Sequence, residues 1–446
     1  MLYKSKRGHI LRTFARNFGV IVIGMVVLWG CSKSRVMMPT PNVYLTEESQ
    51  HYQDLNPELQ SSEVRLFYIT DRAPEKDEQG NLRYGYDRSP SLAFGTAVVD
   101  LGEDLSWEDL LLASRLQKRL KPVELKVRQV TEILRGPDTP LPYAMVDGKI
   151  VEQPEESAKR EAANKAFRRI LADQLALTPR KEVFLYVHGY HNSFDDAAFA
   201  MGELWHFLGR IGVPFIYTWP AGYPGLFGYT YDRESSEFTV YHLRRALKVL
   251  ASLPEVEKIN VIAHSRGTDV AVNALRELTI AARSAGIDPR KKLKINNFII
   301  AAPDIDVAVA EQRIAGDKLT LAVNRFTIYT SPEDKAIGFA RKLFQSPRGR
   351  VGNFGPENVT ERMRHAMEFG KGNLDVIQFL GASDSFTNIG DKYGHSYFRN
   401  APTVSSDVVL MLRDDLDPGT LGRPLENVGL DFWRIPPGYP GGLQKD

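Results

Sequence analysis

The residues best suited to chemistry surround Ser265, in the stretch KINVIAHSRG over residues 258–267. Short apolar and β-branched residues predict a buried strand that ends at the serine, and a helical pattern begins at Gly267. A serine on such a turn needs small neighbours, because the strand and helix backbones approach closely there. Ala263 and Gly267 are both small. The pattern A-H-S-R-G therefore predicts a nucleophilic serine, although an ordinary strand-to-helix turn would look the same.

A serine hydroxyl needs a general base, which we expect beyond the acid in the order Ser, acid, His. Of the nine histidines, His365 and His395 lie beyond residue 334. His365 lies in the charged run ERMRHAMEF, which is typical of a helix surface. His395 lies in DKYGHSYF, where glycine and aromatic residues brace a loop. We predict His395 as the base.

The acid is expected after a strand downstream of the serine, and two predicted strands compete. The later strand, NRFTIYTSPED, ends in Asp334, which is favoured. The earlier strand, NNFIIAAPDID, ends in Asp304 and Asp306 and leaves Asp304 as the alternative acid, with Asp306 less favoured. Asp334 also has the position of a carboxylate at a helix N-terminus, where the helix dipole would stabilise it.

Two backbone amides are needed to stabilise a developing oxyanion. One belongs to Arg266, directly after the serine. The stretch KEVFLYVHGYHN predicts an earlier strand that ends in His188-Gly189, and a glycine there lets the next amide turn inward. We therefore predict the oxyanion donors to be the amides of Tyr190 and Arg266.

Seven motifs are spread over residues 64–400: LFYITDRA (66–73), FLYVHGYHN (184–192), WP (219–220), GYTYDRES (228–235), AHSRG (263–267), APD (302–304) and GHSYF (394–398). Together they resemble the bacterial α/β-hydrolases grouped as domain of unknown function 900. The resemblance implies an α/β-hydrolase fold with a serine-type site, and it supports Ser265 and His395. Asp334 matches the family string S-x-x-D-x-A as SPEDKA. Arg266 stands where the family more often has methionine, which predicts a cation beside the nucleophile.

The block GYTYDRES has two interpretations that the sequence leaves open. Tyr231, Asp232, Arg233 and Glu234 form either a capping and ion-pair cluster at the start of a helix or a lip that faces substrate.

The N-terminal segment has the layout of a lipoprotein signal peptide over residues 1–30. Basic residues precede an apolar run from Phe18 to Gly30, and Cys31 follows as the only cysteine of the chain. Because a lone cysteine forms no internal disulfide, we expect lipidation of Cys31 and anchoring to a membrane. Ser32 suits sorting to the bacterial outer membrane, with the protein facing the periplasm. An uncleaved N-terminal anchor is the alternative.

The rest of the chain divides by composition and pattern. Residues 31–62 are predicted to be a tether, and residues 63–425 an α/β-hydrolase domain with a helical insertion at about 102–180. Alternating strand and helix patterns predict a doubly wound, mainly parallel sheet with helices on both faces. Residues 426–446 are expected to be a flexible tail.

Composition limits the functional classes. A net charge of +2 argues against a nucleic-acid partner, and no metal, Walker A or dinucleotide motif implies a cofactor. The sequence therefore predicts a serine hydrolase that acts through an acyl-enzyme on a small-molecule or lipid ester at the cell envelope. The alternative is a catalytically silent scaffold that acts as an envelope binding lipoprotein.

Overall fold

The computed structural model describes residues 35–45, 51–53, 55–225, 227–369, 373–381 and 391–441. The predicted signal segment (1–30) and Cys31 lie outside the described residues. Within these ranges, no helix combines the length and the apolar character needed to cross a membrane.

The strands are, in chain order, β1 (Glu63–Lys76), β2 (Leu82–Leu101), β3 (Leu125–Arg135), β4 (Tyr143–Val146), β5 (Lys149–Glu152), β6 (Glu182–Val187), β7 (Val213–Thr218), β8 (Lys258–His264), β9 (Ile295–Ala301), β10 (Arg325–Thr330), β11 (Leu374–Gln378), β12 (Glu426–Gly429) and β13 (Phe432–Arg434).

The α-helices are α1 (Trp107–Ala113), α2 (Pro154–Ala176), α3 (Phe194–Phe207), α4 (Gly228–Ala251), α5 (Gly267–Ser284), α6 (Pro289–Leu293), α7 (Val307–Ala310), α8 (Lys335–Leu343), α9 (Glu361–Phe369), α10 (Tyr397–Asn400) and α11 (Pro402–Asp414). A π-helical turn spans Glu311–Gly316, and 3₁₀ turns span Asn42–Tyr44, Pro57–Leu59, Leu319–Ala322, Val351–Asn353 and Pro356–Asn358.

One large sheet organises the molecule. Its strand order is β12-β13-β11-β10-β9-β8-β6-β7-β1-β2-β3, while β4 and β5 form a separate hairpin. The strands from β13 through β1 pair in parallel, and only the outer pairs β12-β13, β1-β2 and β2-β3 are antiparallel. The predicted mainly parallel sheet is confirmed. The carboxyl ends of its central strands meet along one edge, where the predicted site residues follow.

The central strands are buried on both faces, as parallel strands covered by helices require. In β6, Val183 and Leu185 point into one apolar core, while Phe184 and Tyr186 point into the other. Helices α3 and α11 cover the face of Phe184, and helices α2, α4 and α5 cover the face of Val183. The sheet thus separates two apolar cores, one on each of its faces.

The expected helical insertion at about 102–180 is only partly helical. Its second helix-like segment forms α2, but its first forms only α1, which ends at Ala113. Between them, β3 pairs with β2 along the edge of the sheet. The reason lies in the stretch LKVRQVTEILR, whose apolar residues alternate near the start of the strand.

The segments expected to be a tether (31–62) and a flexible tail (426–446) pack onto the domain where the structure describes them. Met37, Met38 and Tyr44 are buried in the apolar core. In the tail, β13 pairs with β11, and Tyr439 is buried. Both segments carry apolar side chains that the core accommodates.

Candidate active site

The turn at Ser265 joins β8 to α5. Ser265 has a φ of +54°, a left-handed conformation that is rare for residues other than glycine. Its amide donates to the Ala301 carbonyl at 3.0 Å, and the Thr268 hydroxyl donates back to the Ser265 carbonyl at 2.6 Å. A Cβ atom at Gly267 would lie 2.1 Å from the His188 carbonyl, so the close approach of the backbones requires glycine there.

His395 lies between the serine and a carboxylate. Its Nε2 is 2.7 Å from Ser265 Oγ, and its Nδ1 is 2.7 Å from Asp334 Oδ2. The loop before α10 carries it, and the ring of His264 supports it by donating from Nε2 to the His395 carbonyl at 3.1 Å. Burial lowers the pKa of His264 well below its ordinary value, so this supporting ring stays neutral.

Asp334 has both roles that its sequence position allowed, because it caps a helix and also faces the histidine. Its Oδ1 accepts hydrogen bonds from the amides of Ala336 and Ile337, both at 3.0 Å, and so caps α8. Its Oδ2 accepts from His395. Because the helix cap fixes the carboxylate, the oxygen that faces the histidine is held in place without a further side chain.

The charges around His395 favour its protonated form. Burial would lower the pKa of His395, but the negative charge of Asp334 and its hydrogen bond outweigh burial and raise that pKa above its ordinary value. Asp391 and Asp304 raise it further. The environment therefore stabilises an imidazolium, the species formed when a histidine takes a proton from serine.

The other candidate residues lie elsewhere. Asp304 is next to the turn at Ser265, because its amide donates to the Ser265 carbonyl at 3.3 Å. Its carboxylate, however, pairs with Arg350 Nε at 2.5 Å and does not reach His395. Asp306 caps α7 through the Ala308 amide at 2.8 Å. His365 lies on α9, 3.8 Å from Glu368, and its side chain is 76% exposed.

The predicted oxyanion amides belong to two loops that meet at the serine. A Cβ atom on Gly189 would lie 2.7 Å from Ser265 Cβ, which places the loop before Tyr190 directly against Ser265. Neither the Tyr190 nor the Arg266 amide donates a hydrogen bond to another residue in the described part of the chain. Both donors are thus available to an acceptor that enters the site.

The guanidinium of Arg266 points away from that position. It is buried and donates to Ser236 Oγ at 3.2 Å, and it pairs with Asp269 at 3.2 Å. The cation expected beside the nucleophile therefore joins α4 to α5, with its charge compensated by Asp269.

His188 holds the loop that carries Gly189. Burial lowers the pKa of His188 to about 3, helped by the charge of Arg72, so its ring is neutral. Its Nε2 accepts from the Trp219 amide at 3.0 Å, and its Nδ1 donates to the Gly189 carbonyl at 2.9 Å. The ring thereby fixes the loop after β6 to the loop after β7.

Asp232 is a functional candidate whose position the sequence left ambiguous. Its buried carboxylate accepts from the amides of His191 at 2.9 Å, Gly222 at 3.0 Å and Tyr223 at 3.3 Å. It therefore fixes the backbone directly after Tyr190. The only sequence signal was its place in the GYTYDRES block, and its partners are backbone atoms that no motif reveals.

This geometry lies inside a region that matches a known family. Residues 163–413, more than half of the chain, match the family described as alpha/beta hydrolase of unknown function (DUF900). The chain belongs to this family. The α/β-hydrolase fold predicted from the motifs is therefore confirmed, and hydrolase chemistry is the activity that the family suggests.

Two solved structures are similar to the chain. A Pyrobaculum calidifontis esterase in a monoclinic form is 10% identical with a TM-score of 0.27, covering 57% of this chain and 93% of its own. ESTFA in its Fe-lacking apo form is 10% identical with a TM-score of 0.25, covering 57% of this chain and 92% of its own. At these scores neither similarity bears on activity. No curated protein matches the chain.

Proposed function

We propose that this protein is a serine hydrolase that cleaves carboxylic esters through an acyl-enzyme. The observation that carries the proposal is the continuous hydrogen-bonded path from Ser265 Oγ through His395 to Asp334, with 2.7 Å at each step. The left-handed turn at Ser265 presents its hydroxyl at the carboxyl edge of the sheet, as in a nucleophile elbow.

In the proposed reaction, Ser265 Oγ attacks the acyl carbon while His395 Nε2 takes the hydroxyl proton. The carbonyl oxygen becomes an oxyanion that accepts hydrogen bonds from the amides of Tyr190 and Arg266. His395 then protonates the departing alcohol, and Asp334 stabilises the imidazolium throughout. Water next attacks the acyl-enzyme with His395 as base, which releases the acid and restores the serine.

The test is hydrolysis of p-nitrophenyl butyrate and octanoate by the full chain, with labelling by a fluorophosphonate probe. Ser265→Ala should lower kcat by at least about 10⁴-fold and abolish labelling. The matched control is Ser252→Ala, at the exposed serine directly after α4. This variant should leave both kcat and probe labelling unchanged. A folded protein with neither turnover nor labelling would contradict the proposal and favour the silent scaffold.

We also propose that the protein works at the bacterial cell envelope, anchored through a lipid on Cys31. The support is the basic and apolar sequence that precedes this lone cysteine.

A further inference from the structure

An apolar cavity of about 520 Å³ lies beside the sheet. None of Ser265, Asp334 and His395 lines it. It opens between the sheet face formed by β10, β11 and β13 and the segments that cover that face, which are α9 and the π-helical turn. Its main lining residues are Ile328, Val376, Phe432, Met363, Met367 and Ile314.

The interior of this cavity suits a hydrocarbon chain. Branched and aromatic side chains of the sheet form one wall, and two methionines of α9 form the facing wall, where flexible thioethers adapt to the shape of a ligand. A cavity of about 150 Å³ with such a lining already binds benzene, and small-molecule pockets span about 300–1,000 Å³. A space of 520 Å³ therefore holds a much longer apolar ligand.

The mouth of the cavity carries excess positive charge. Glu311 and Lys318 are among the lining residues. The Glu311 carboxylate is paired with Arg348 at 2.6 Å and with Arg362 at 2.7 Å, and Arg348 also contacts the sulfur of the lining residue Met363 at 3.3 Å. Arg348 and Arg362 do not line the cavity themselves, but they contact its lining residues Glu311 and Met363. Together with Lys318 they give this end of the cavity three cations for the one carboxylate of Glu311.

We infer that this cavity binds a fatty acid, with its chain between the sheet and α9 and its carboxylate at the arginines. An apolar space with one cationic end matches an anionic single-chain amphiphile, because burial of the chain supplies affinity and the guanidiniums recognise the carboxylate. A neutral or cationic head group cannot form the ion pair with the guanidiniums. This inference does not depend on the proposed esterase activity.

The experiment is calorimetric titration of the full chain with laurate and dodecyltrimethylammonium, each below its micellar concentration, and with dodecanol below its solubility limit. We expect saturable binding of one laurate per chain and binding of the other two that is weaker by about tenfold or more. Ser265→Ala should bind laurate unchanged, which separates this site from the triad. Failure of esterase activity would leave the titration unaffected.

Two substitutions locate the ligand. Ala315→Trp, at an exposed lining residue, should fill the mouth and lower laurate affinity at least about tenfold, while Ala281→Trp on the exposed face of α5 serves as its control. Arg348→Gln should weaken laurate about fivefold or more without weakening dodecanol. Thermal melting of each variant tests whether it folds. Absence of saturable binding, equal affinity for dodecanol, or unchanged binding by Ala315→Trp would overturn the inference.

Discussion

At the scale of single residues, the charge state of His395 controls the proposed reaction. A base must be neutral to accept the serine proton, and the carboxylate of Asp334 raises the pKa of His395 above its ordinary value of 6.5 against the opposing effect of burial. We therefore predict that kcat/KM falls as the pH is lowered, with the midpoint of this limb above pH 6.5. A pH profile with p-nitrophenyl butyrate measures the midpoint, and a midpoint below 6.5 would contradict this electrostatic account.

The choice between the two candidate acids leads to a paired prediction. Asp334→Asn removes the charge that raises the pKa of His395, so the acid limb should move to lower pH while kcat falls about 10³- to 10⁴-fold. Asp304→Asn is the matched control. Because Asp304 pairs with Arg350 and not with His395, kcat of the folded variant should fall less than about tenfold, while loss of this buried ion pair should lower its melting temperature. Kinetics of both variants across pH decide the matter, and the reverse ranking would identify Asp304 as the acid.

The sequence was informative where chemistry depends on residue type and chain order. Ser265 stood out because strand, turn and helix signals converge on it, and His395 because few histidines lie late in the chain. Asp334 was favoured without a decision, since its bond to His395 joins residues 61 positions apart. The roles of Arg266 and Asp232 remained out of reach, because side-chain direction and backbone partners depend on tertiary packing.

At the scale of elements, the loops after β6 and β7 must hold a fixed geometry around the site. Asp232 joins them by accepting from amides of both loops, next to the Tyr190 amide. We predict that Asp232→Asn lowers kcat about 10- to 100-fold with KM within about twofold, since an amide group replaces one of the accepting oxygens.

Steady-state kinetics and thermal melting of Asp232→Asn distinguish positioning from loss of folding. Asp288→Asn is the control, because Asp288 is an exposed carboxylate that caps α6. A change in KM alone would show that Asp232 does not position the oxyanion loop.

Strands and helices differ in how well the sequence revealed them. The central strands were predictable because parallel strands buried on both faces are continuous apolar runs. Strand β3 was missed because it lies at the sheet edge, where only part of its pattern alternates. Strands β12 and β13 are short and follow a glycine- and proline-rich region, and they are ordered through pairing with β11, which is distant in sequence.

The packed tail supplies the second prediction at this scale. The hydroxyl of Tyr439 donates to Asp407 at 2.6 Å, and Arg423 pairs with the same buried carboxylate at 2.8 Å. Tyr439→Phe removes one hydrogen bond to a buried charge and should lower the free energy of unfolding by about 2 kcal/mol. Urea denaturation measures the loss. Tyr143→Phe, at an exposed residue of β4, should change it by less than about 0.5 kcal/mol. Equal effects of the two substitutions would show that the hydrogen bond of the Tyr439 hydroxyl adds no stability.

At the scale of the whole molecule, the two ends of the described chain pack together. The side-chain amide of Asn42 donates to the Tyr439 carbonyl at 2.7 Å, across 397 positions of sequence. The amide of Met38 donates to the buried carboxylate of Glu203 at 2.9 Å. No local pattern encodes such contacts, which is why both segments were expected to be loose.

Cys31 lies outside the described residues, but only a short stretch of sequence separates it from the folded domain. Arg35 is four positions further along the chain, and its carbonyl accepts from the Leu125 amide at 2.8 Å. A chain of four residues spans at most about 14 Å, so a lipid on Cys31 would hold the domain at the membrane surface.

We therefore predict that the full chain incorporates labelled palmitate and sediments with membranes. Cys31→Ser should lose the label and move to the soluble fraction on extraction with high salt, because the lipid supplies the membrane affinity. Ser34→Ala is the control, since it changes a nearby side chain and keeps the thiol. Fractionation together with the mass of the mature protein reads out the result. An unsubstituted protein that takes up no palmitate and keeps its full, uncleaved mass would instead establish the N-terminal segment as the anchor.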